Sequence, residues 1–214
     1  MLKYFLIIVY IISVFSIAII YRRIQPNNKE LLRKIIHIGI GPLIPIAKYF
    51  EISRNFAAYF TFLIFILIAI NYIYKVFPII ENVERKSYGT LFYCLSLFIL
   101  IMLFWDKDPN SLVVGFFIMT FGDGFAGLIG KNISSKNWLI FNQRKSLLGT
   151  FTMFTTSLLV LISTCFYMDF PLNSNYILIA AIATTLEQVS IYGIDNLTVP
   201  IISAISFNYL IINL

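Results

Sequence analysis

Long apolar runs alternate with short polar gaps from one end of the 214-residue chain to the other. The runs are roughly 16 to 22 residues long, and about 20 apolar residues in helical form cross a bilayer. The pattern predicts spans over 2–21, 35–50, 55–75, 88–105, 111–131, 146–168, 175–190 and 198–213. The second and the last two are short or interrupted, so eight crossings is the central expectation and seven or nine fit the same pattern. The first run has no small-residue cleavage site and reads as a retained helix, not a signal peptide. No internal repeat, low-complexity tract or soluble-domain stretch interrupts the series. The expected architecture is an all-α, polytopic membrane bundle, one domain over 1–214.

Composition agrees: 59% of residues are hydrophobic, 12% are charged, and the mean hydropathy is +0.87. A soluble domain carries about twice that share of charge. The net charge of +6 invites a nucleic-acid partner, but the charges sit in short gaps between apolar runs, which excludes one. Their distribution sets orientation instead, because basic residues mark cytoplasmic loops. Arg22, Arg23, Lys29, Arg33 and Lys34 follow span one; Lys75, Arg85 and Lys86 follow span three; Lys131, Lys136, Arg144 and Lys145 follow span five. Those are 12 of the 16 basic residues, against Lys3, Lys48, Arg54 and Lys107 on the other side. The odd-numbered gaps are therefore expected in the cytoplasm and both termini outside. The seventh gap carries Glu187 and Asp195 and no Lys or Arg. An acidic patch facing a basic one across the same membrane face suits a metal ion held between carboxylates and phosphates. Cys94 and Cys165 lie singly in apolar runs and make neither a disulfide framework nor a metal site.

Six polar elements interrupt the pattern. Asp123, in Gly122-Asp123-Gly124-Phe125-Ala126-Gly127, sits deep in a span. A carboxylate there costs on the order of 3 kcal/mol unless it has a partner or a wet cavity. The glycines alone are explained by close helix packing, but the carboxylate is not. The run formally matches a dinucleotide fingerprint but lacks the preceding strand, and Gly130-Lys131 lacks the upstream glycine of a P-loop. Lys145-Ser146-Leu147-Leu148-Gly149-Thr150 opens span six, where free helix amides are expected to bind an anion; a serine N-cap is the plainer reading. Arg33 and His37 share a helix face at i, i+4, either as interfacial anchors or as a phosphate clamp with an imidazole able to move a proton. Pro42 and Pro45 are expected to break that helix. Glu84 to Thr90, with Tyr88, reads as an interfacial cluster. Asp195-Asn196 and Pro200 either cap the last helix or, with Glu187, complete a metal site.

This ordered set resembles the family of CTP-dependent lipid-alcohol kinases that includes phytol kinase, dolichol kinase and diacylglycerol kinases of the same type. The matching pieces are Arg33-Lys34-x-x-His37, Tyr88-Gly89-Thr90, Gly122-Asp123-x-x-Ala126, Gly130-Lys131, Lys145-Ser146-x-x-Gly149-Thr150, Glu187 and Asp195-Asn196-Leu197-Thr198-Val199-Pro200. The family is also similar to CDP-diacylglycerol synthases, but Leu147 and Leu148 stand where their longer Lys/Thr motif is polar, which favours the kinase side.

The resemblance implies a kinase moving the terminal phosphoryl group of CTP to a lipid alcohol such as phytol, geranylgeraniol or a polyprenol, within membrane lipids and at the cytoplasmic face. Mg²⁺ is expected on Asp123, with Asp195 or Glu187 as second carboxylate. Lys145, Ser146, Gly149 and Thr150 are expected to hold the triphosphate, helped by Arg33, Lys34, Gly122 and Lys131, with Asn196 and Tyr88 in support. Asp123 or His37 would accept the alcohol proton, and the residues leave that choice open. The competing readings are a cytidylyltransferase acting on a lipid phosphate and, from another class, an ion-coupled transporter with Asp123, Glu187 and Asp195 spread along a path.

Overall fold

The computed structural model describes residues 1–26, 28–74, 88–141 and 143–213; the charged stretch from Lys75 through Arg85, Lys86 and Ser87 lies outside them, as do the side chains of Lys29 and Glu30. The eight predicted spans are all found as helical segments, and the protein is an all-α polytopic membrane bundle. They are α1 (Leu2–Ile24), α2 (Lys29–Ile40) with α3 (Leu43–Tyr49), α4 (Arg54–Tyr74), α5 (Gly89–Phe104), α6 (Pro109–Phe117) continuing to α7 (Gly124–Asn132), α8 (Leu147–Tyr167), α9 (Asn175–Gln188) and α10 (Asp195–Ile212). Five segments among the described residues are by themselves long and apolar enough to span: 2–24, 54–74, 109–132, 147–167 and 195–212.

The expected second span is two helices, not one rod. Pro42 has no N–H to offer Ile38, so the chain tightens with Gly41 N–H donating to the Ile38 carbonyl at 3.1 Å and α3 restarts at Leu43. A side chain at Gly41 would collide with Thr120, its Cβ lying 2.7 Å from Cγ2. The break therefore nests against the span that carries Asp123.

That span, 109–132, is the central one: 56% of an 18-residue apolar stretch of it is buried inside the protein, against 11% of the corresponding stretch of α1 and 17% of that of α4. The outer pair turns Ile, Phe and Leu side chains outward, as lipid-facing helices do. Asp108 caps α6, its carboxylate accepting from Asn110 N–H (3.2 Å) and Ser111 N–H (3.3 Å), with Pro109 in the first helical position. The helix then widens into a π turn over Ile118–Asp123 before α7. Such turns displace carbonyls from the usual i→i+4 register and cluster at functional sites.

α10 packs against α5, α6 and α9, and α8 against α7 and α9. Gly115 is what lets α6 meet α10, because a Cβ there would stand 2.7 Å from Ala204 Cβ and inside the Pro200 carbonyl. Gly115→Ala should cost about 1–3 kcal/mol through overpacking, despite the better helix propensity of alanine. Thermal unfolding in detergent reads this, and an unchanged midpoint would show that the two helices separate freely.

At the end of the bundle away from Asp123, three of the four basic residues are tied to backbone carbonyls: Lys3 to Glu51 (3.0 Å), Lys48 to Trp105 (3.0 Å) and Arg54 to Met102 (2.9 Å). Cations there satisfy carbonyls at or just past helix C-termini. The other end holds the polar gaps, and one of them contains structure that hydrophobic patterning did not predict. Strands β1 (Asn137–Ile140) and β2 (Gln143–Ser146) form an antiparallel hairpin, Asn137 opposite Ser146 and Ile140 opposite Gln143, with Phe141 in the left-handed region at φ 47°.

Candidate active site

Strand geometry places Lys145. Side chains alternate along β2, so Arg144 is exposed while Lys145 turns inward. Its ammonium donates to the Glu187 carbonyl at 2.6 Å and forms a very short ion pair with Glu187 Oε1. The hairpin thus docks the start of α8 onto the end of α9.

The first amides of α8 were expected to be free for an anion, and the structure corrects this. Leu147 N–H donates to the Lys136 carbonyl (2.8 Å), Leu148 N–H reaches Ser135 Oγ (3.4 Å), and Gly149 N–H donates to Ser146 Oγ (3.1 Å). The hairpin folds back over this helix start and consumes its donors, with Ser146 as N-cap. Side chains, not these amides, are the groups left to meet an anion here.

Asp123 lies at the end of the π turn and meets α2. Lys34 Nζ is 2.6 Å from Asp123 Oδ2 and donates to the Asp123 carbonyl at 3.0 Å. Gly127 makes room for this lysine: a Cβ there would be 2.6 Å from Lys34 Cε. His37 Nε2 stands 3.5 Å from Asp123 Oδ2 and 3.3 Å from the Met119 carbonyl. A carbonyl can only accept, so that bond puts the ring hydrogen on Nε2. Tyr93 braces the imidazole, its ring centroid 4.6 Å away, and its hydroxyl donates to the His37 carbonyl at 3.1 Å. Half-buried Arg33 adds a further positive charge to the field at Asp123.

Three carboxylates converge at this point. One oxygen each of Asp123, Glu187 and Asp195 lie within 4.8 Å of one another, although the residues are up to 72 positions apart in the chain. Like charges so close repel strongly in a partly dehydrated site. Lys34 answers Asp123 and Lys145 answers Glu187, while Asp195 has an amide hydrogen from Asn196 at 3.1 Å and no ion pair among the described residues. Asp195 was open to a capping role; Ile194 occupies the N-cap instead and no side chain closes that turn. Carboxylate oxygens suit a hard divalent cation. Three carboxylate oxygens within 4.8 Å of one another are near enough to serve one such ion. Acidic residues gathered at one point also differ from the spread through membrane depth that a transport path requires.

The remaining predicted residues divide. Thr150 donates to the Ser146 carbonyl (3.0 Å) and accepts from Gln188 (2.8 Å). Gly149 and Gly130 form the crossing of α8 and α7, and Gly122 lies against Met153 and Ser157, so their closeness to other elements accounts for them. Asn196 is buried and donates to the Gly89 carbonyl at 3.0 Å, holding α10 to α5. Tyr88 is exposed; its ring rests on Tyr72 (4.8 Å) and its N–H donates to the Tyr192 carbonyl (2.9 Å). Lys131 is exposed at the end of α7 and does not join the cluster.

Sequence reading missed Gln188. Its amide nitrogen bridges Thr150 Oγ1 (2.8 Å) and Glu187 Oε2 (2.9 Å), coupling α8 to the carboxylate triad. The signal was a second polar residue beside Glu187 at the end of an apolar span. Gln188 Oε1 and Asn196 Oδ1 are buried acceptors without a hydrogen-bond donor among the described residues, both adjacent in sequence to triad members.

The chain matches no protein-family model and no solved structure. It is 34% identical over 203 residues to the phytol kinase of Synechocystis sp., an alignment covering 92% of this chain and 86% of that protein. Phytol kinase 1, chloroplastic, of Arabidopsis thaliana is 27% identical over 210 residues, 85% of this chain and 68% of the plant protein. A probable chloroplastic phytol kinase of Zea mays is 29% identical over 81% of this chain, which spans 64% of the length of that protein. With that identity running through nearly the whole of both proteins in the first case, the chain belongs to the phytol kinase family.

Proposed function

We propose that this lipid-alcohol kinase transfers the terminal phosphoryl group of CTP to phytol or a related isoprenoid alcohol, at the cytoplasmic face of its membrane. The observation that carries the reading is the Asp123–Glu187–Asp195 triad with Lys34 and Lys145 set against it. Phosphoryl transfer asks a protein for positioning and charge neutralisation more than for covalent chemistry, and this cluster offers both signs of charge within a few ångströms.

Asp123, Glu187 and Asp195 are the residues that would hold Mg²⁺. When bound, the ion neutralises phosphate charge and fixes the geometry of the phosphate chain. Lys145, Lys34 and Arg33 supply cationic side chains for the triphosphate, and Gln188 keeps the Glu187 carboxylate facing the site. The alcohol oxygen forms its bond to the terminal phosphorus while the bond from that phosphorus to the bridging oxygen breaks, releasing CDP. The hydroxyl proton passes to the protein. His37 Nε2 donates toward Met119, which favours the Asp123 carboxylate as acceptor. Twelve of 16 basic residues fall, by sequence, in the odd-numbered gaps, which supports the cytoplasmic side. The lipid tail stays among the apolar helix faces, its hydroxyl reaching the interface from within the bilayer.

The test is product analysis. Purified protein incubated with CTP labelled in the base and in the terminal phosphate, and with a panel of phytol, geranylgeraniol, a polyprenol and diacylglycerol, should yield CDP and a singly phosphorylated isoprenoid. Release of pyrophosphate with cytidine carried onto the lipid would replace this reading by cytidylyl transfer.

A further inference from the structure

The three carboxylates are not equally free. Asp123 Oδ2 holds the Lys34 ammonium at 2.6 Å, Glu187 Oε1 holds that of Lys145, and Asp195 has no ammonium among the described residues. These cations therefore sit on oxygens that a divalent ion needs. Both pairs are largely dehydrated, with side-chain exposures of 5% and 13% in one and 10% and 11% in the other.

Each lysine is also held twice. Lys34 reaches the Asp123 backbone carbonyl and Lys145 the Glu187 backbone carbonyl. A lysine so tethered can surrender its carboxylate and keep one acceptor, swinging its ammonium about a fixed point rather than leaving the site.

We propose that Lys34 and Lys145 are exchange counter-ions, neutralising two of the three carboxylates in the resting enzyme and transferring to the triphosphate when the metal–nucleotide complex arrives. This rests on the kinase reading above and adds a binding rule to it. A cation alone that takes all three carboxylates must displace two buried ammonium groups, and leaves them no other carboxylate of the cluster to take. With a triphosphate present, the displaced ammonium groups meet phosphate oxygens, and the carboxylates are released to the metal. Cation and nucleotide thus bind as a coupled pair, each tightening the other by the same factor.

The test measures cation binding directly. Purified enzyme is titrated with Mn²⁺, the free ion being read by electron paramagnetic resonance, with and without a CTP analogue carrying a methylene bridge between the outer phosphates. Wild-type enzyme should gain about tenfold or more in Mn²⁺ affinity from the analogue, within the usual range of coupling between two ligands. Lys145→Met should tighten Mn²⁺ alone by a similar factor and lose most of the gain from nucleotide, and Lys34→Met should do the same from the Asp123 side. Because an unpaired buried carboxylate destabilises the fold, Mn²⁺ should also raise the melting temperature of both variants more than that of wild type. Mn²⁺ binding unchanged or weakened in both lysine variants overturns the exchange and leaves the kinase reading standing. Mn²⁺ binding that is indifferent to Asp195→Asn overturns the metal triad itself.

Discussion

Asp123→Asn should lower kcat by about a thousandfold or more while the protein still inserts and purifies as a folded species. A thousandfold corresponds to about 4 kcal/mol of lost transition-state stabilisation. Loss of the carboxylate removes the proposed ligand for the cation, the anion that holds Lys34 and the proposed acceptor of the alcohol proton. The fold suffers less, because an asparagine side-chain oxygen still accepts from Lys34 and the ammonium keeps the residue 123 backbone carbonyl, now at 3.0 Å. Stability should fall by about 1–3 kcal/mol, the range for weakening a charged hydrogen bond. Initial rates together with size-exclusion profiles in detergent separate the two effects. Retention of a tenth of wild-type turnover would mean that Asp123 serves Lys34 and the packing of α2, not the chemistry.

How much of this was legible before any coordinates depends on the range of the interaction concerned. Helices form from local apolar content, so the spans ending near Tyr21, Tyr74, Phe104 and Tyr167 are read to within a few residues. Pro42 announced the break between α2 and α3 for an equally local reason, the missing N–H, whereas Pro45, also expected to break the helix, sits in the first turn of α3, where its missing N–H costs nothing. Asp123 stood out because a carboxylate in an apolar span requires an explanation. The hairpin over 137–146 was invisible to that logic. Its strands are four residues each, too short for an alternation to register, and they are held by each other and by the start of α8. The same fold-back hid the fate of the α8 amides, since sequence shows an anion-ready helix start and cannot show that Lys136 already fills it. The π turn before Asp123 likewise carries no composition cue; the fit of Thr120 against Gly41 and of Met119 against His37 belongs to tertiary packing. Gln188 was overlooked because an amide near a membrane interface is unremarkable until its two acceptors, 38 positions and one position away, are seen together.

Gly130→Ala should cost about a hundredfold in kcat although no charge in the site changes. A Cβ at this position would lie 2.6 Å from Ser146 Oγ and 3.2 Å from Gly149 Cα. The hydroxyl is not free to rotate away at no cost, because it caps α8 by accepting from Gly149 N–H. Relief comes from sliding α7 against α8. Asp123 immediately precedes α7 while Lys145 and Ser146 immediately precede α8, so this slide separates the two halves of the charge cluster. Displacement of reacting groups by about 1 Å is enough for a hundredfold loss. Ser146→Ala removes the nearest obstacle and should recover part of the loss in the Gly130→Ala background, while on its own it costs only the cap, about 1 kcal/mol of helix stability. The double-mutant cycle therefore carries the diagnosis: the two substitutions should be markedly non-additive in kcat, as expected for residues in contact. Additive losses would show that the glycine crossing is not what sets the distance between Asp123 and Lys145, and that the site tolerates a looser frame than its packing suggests.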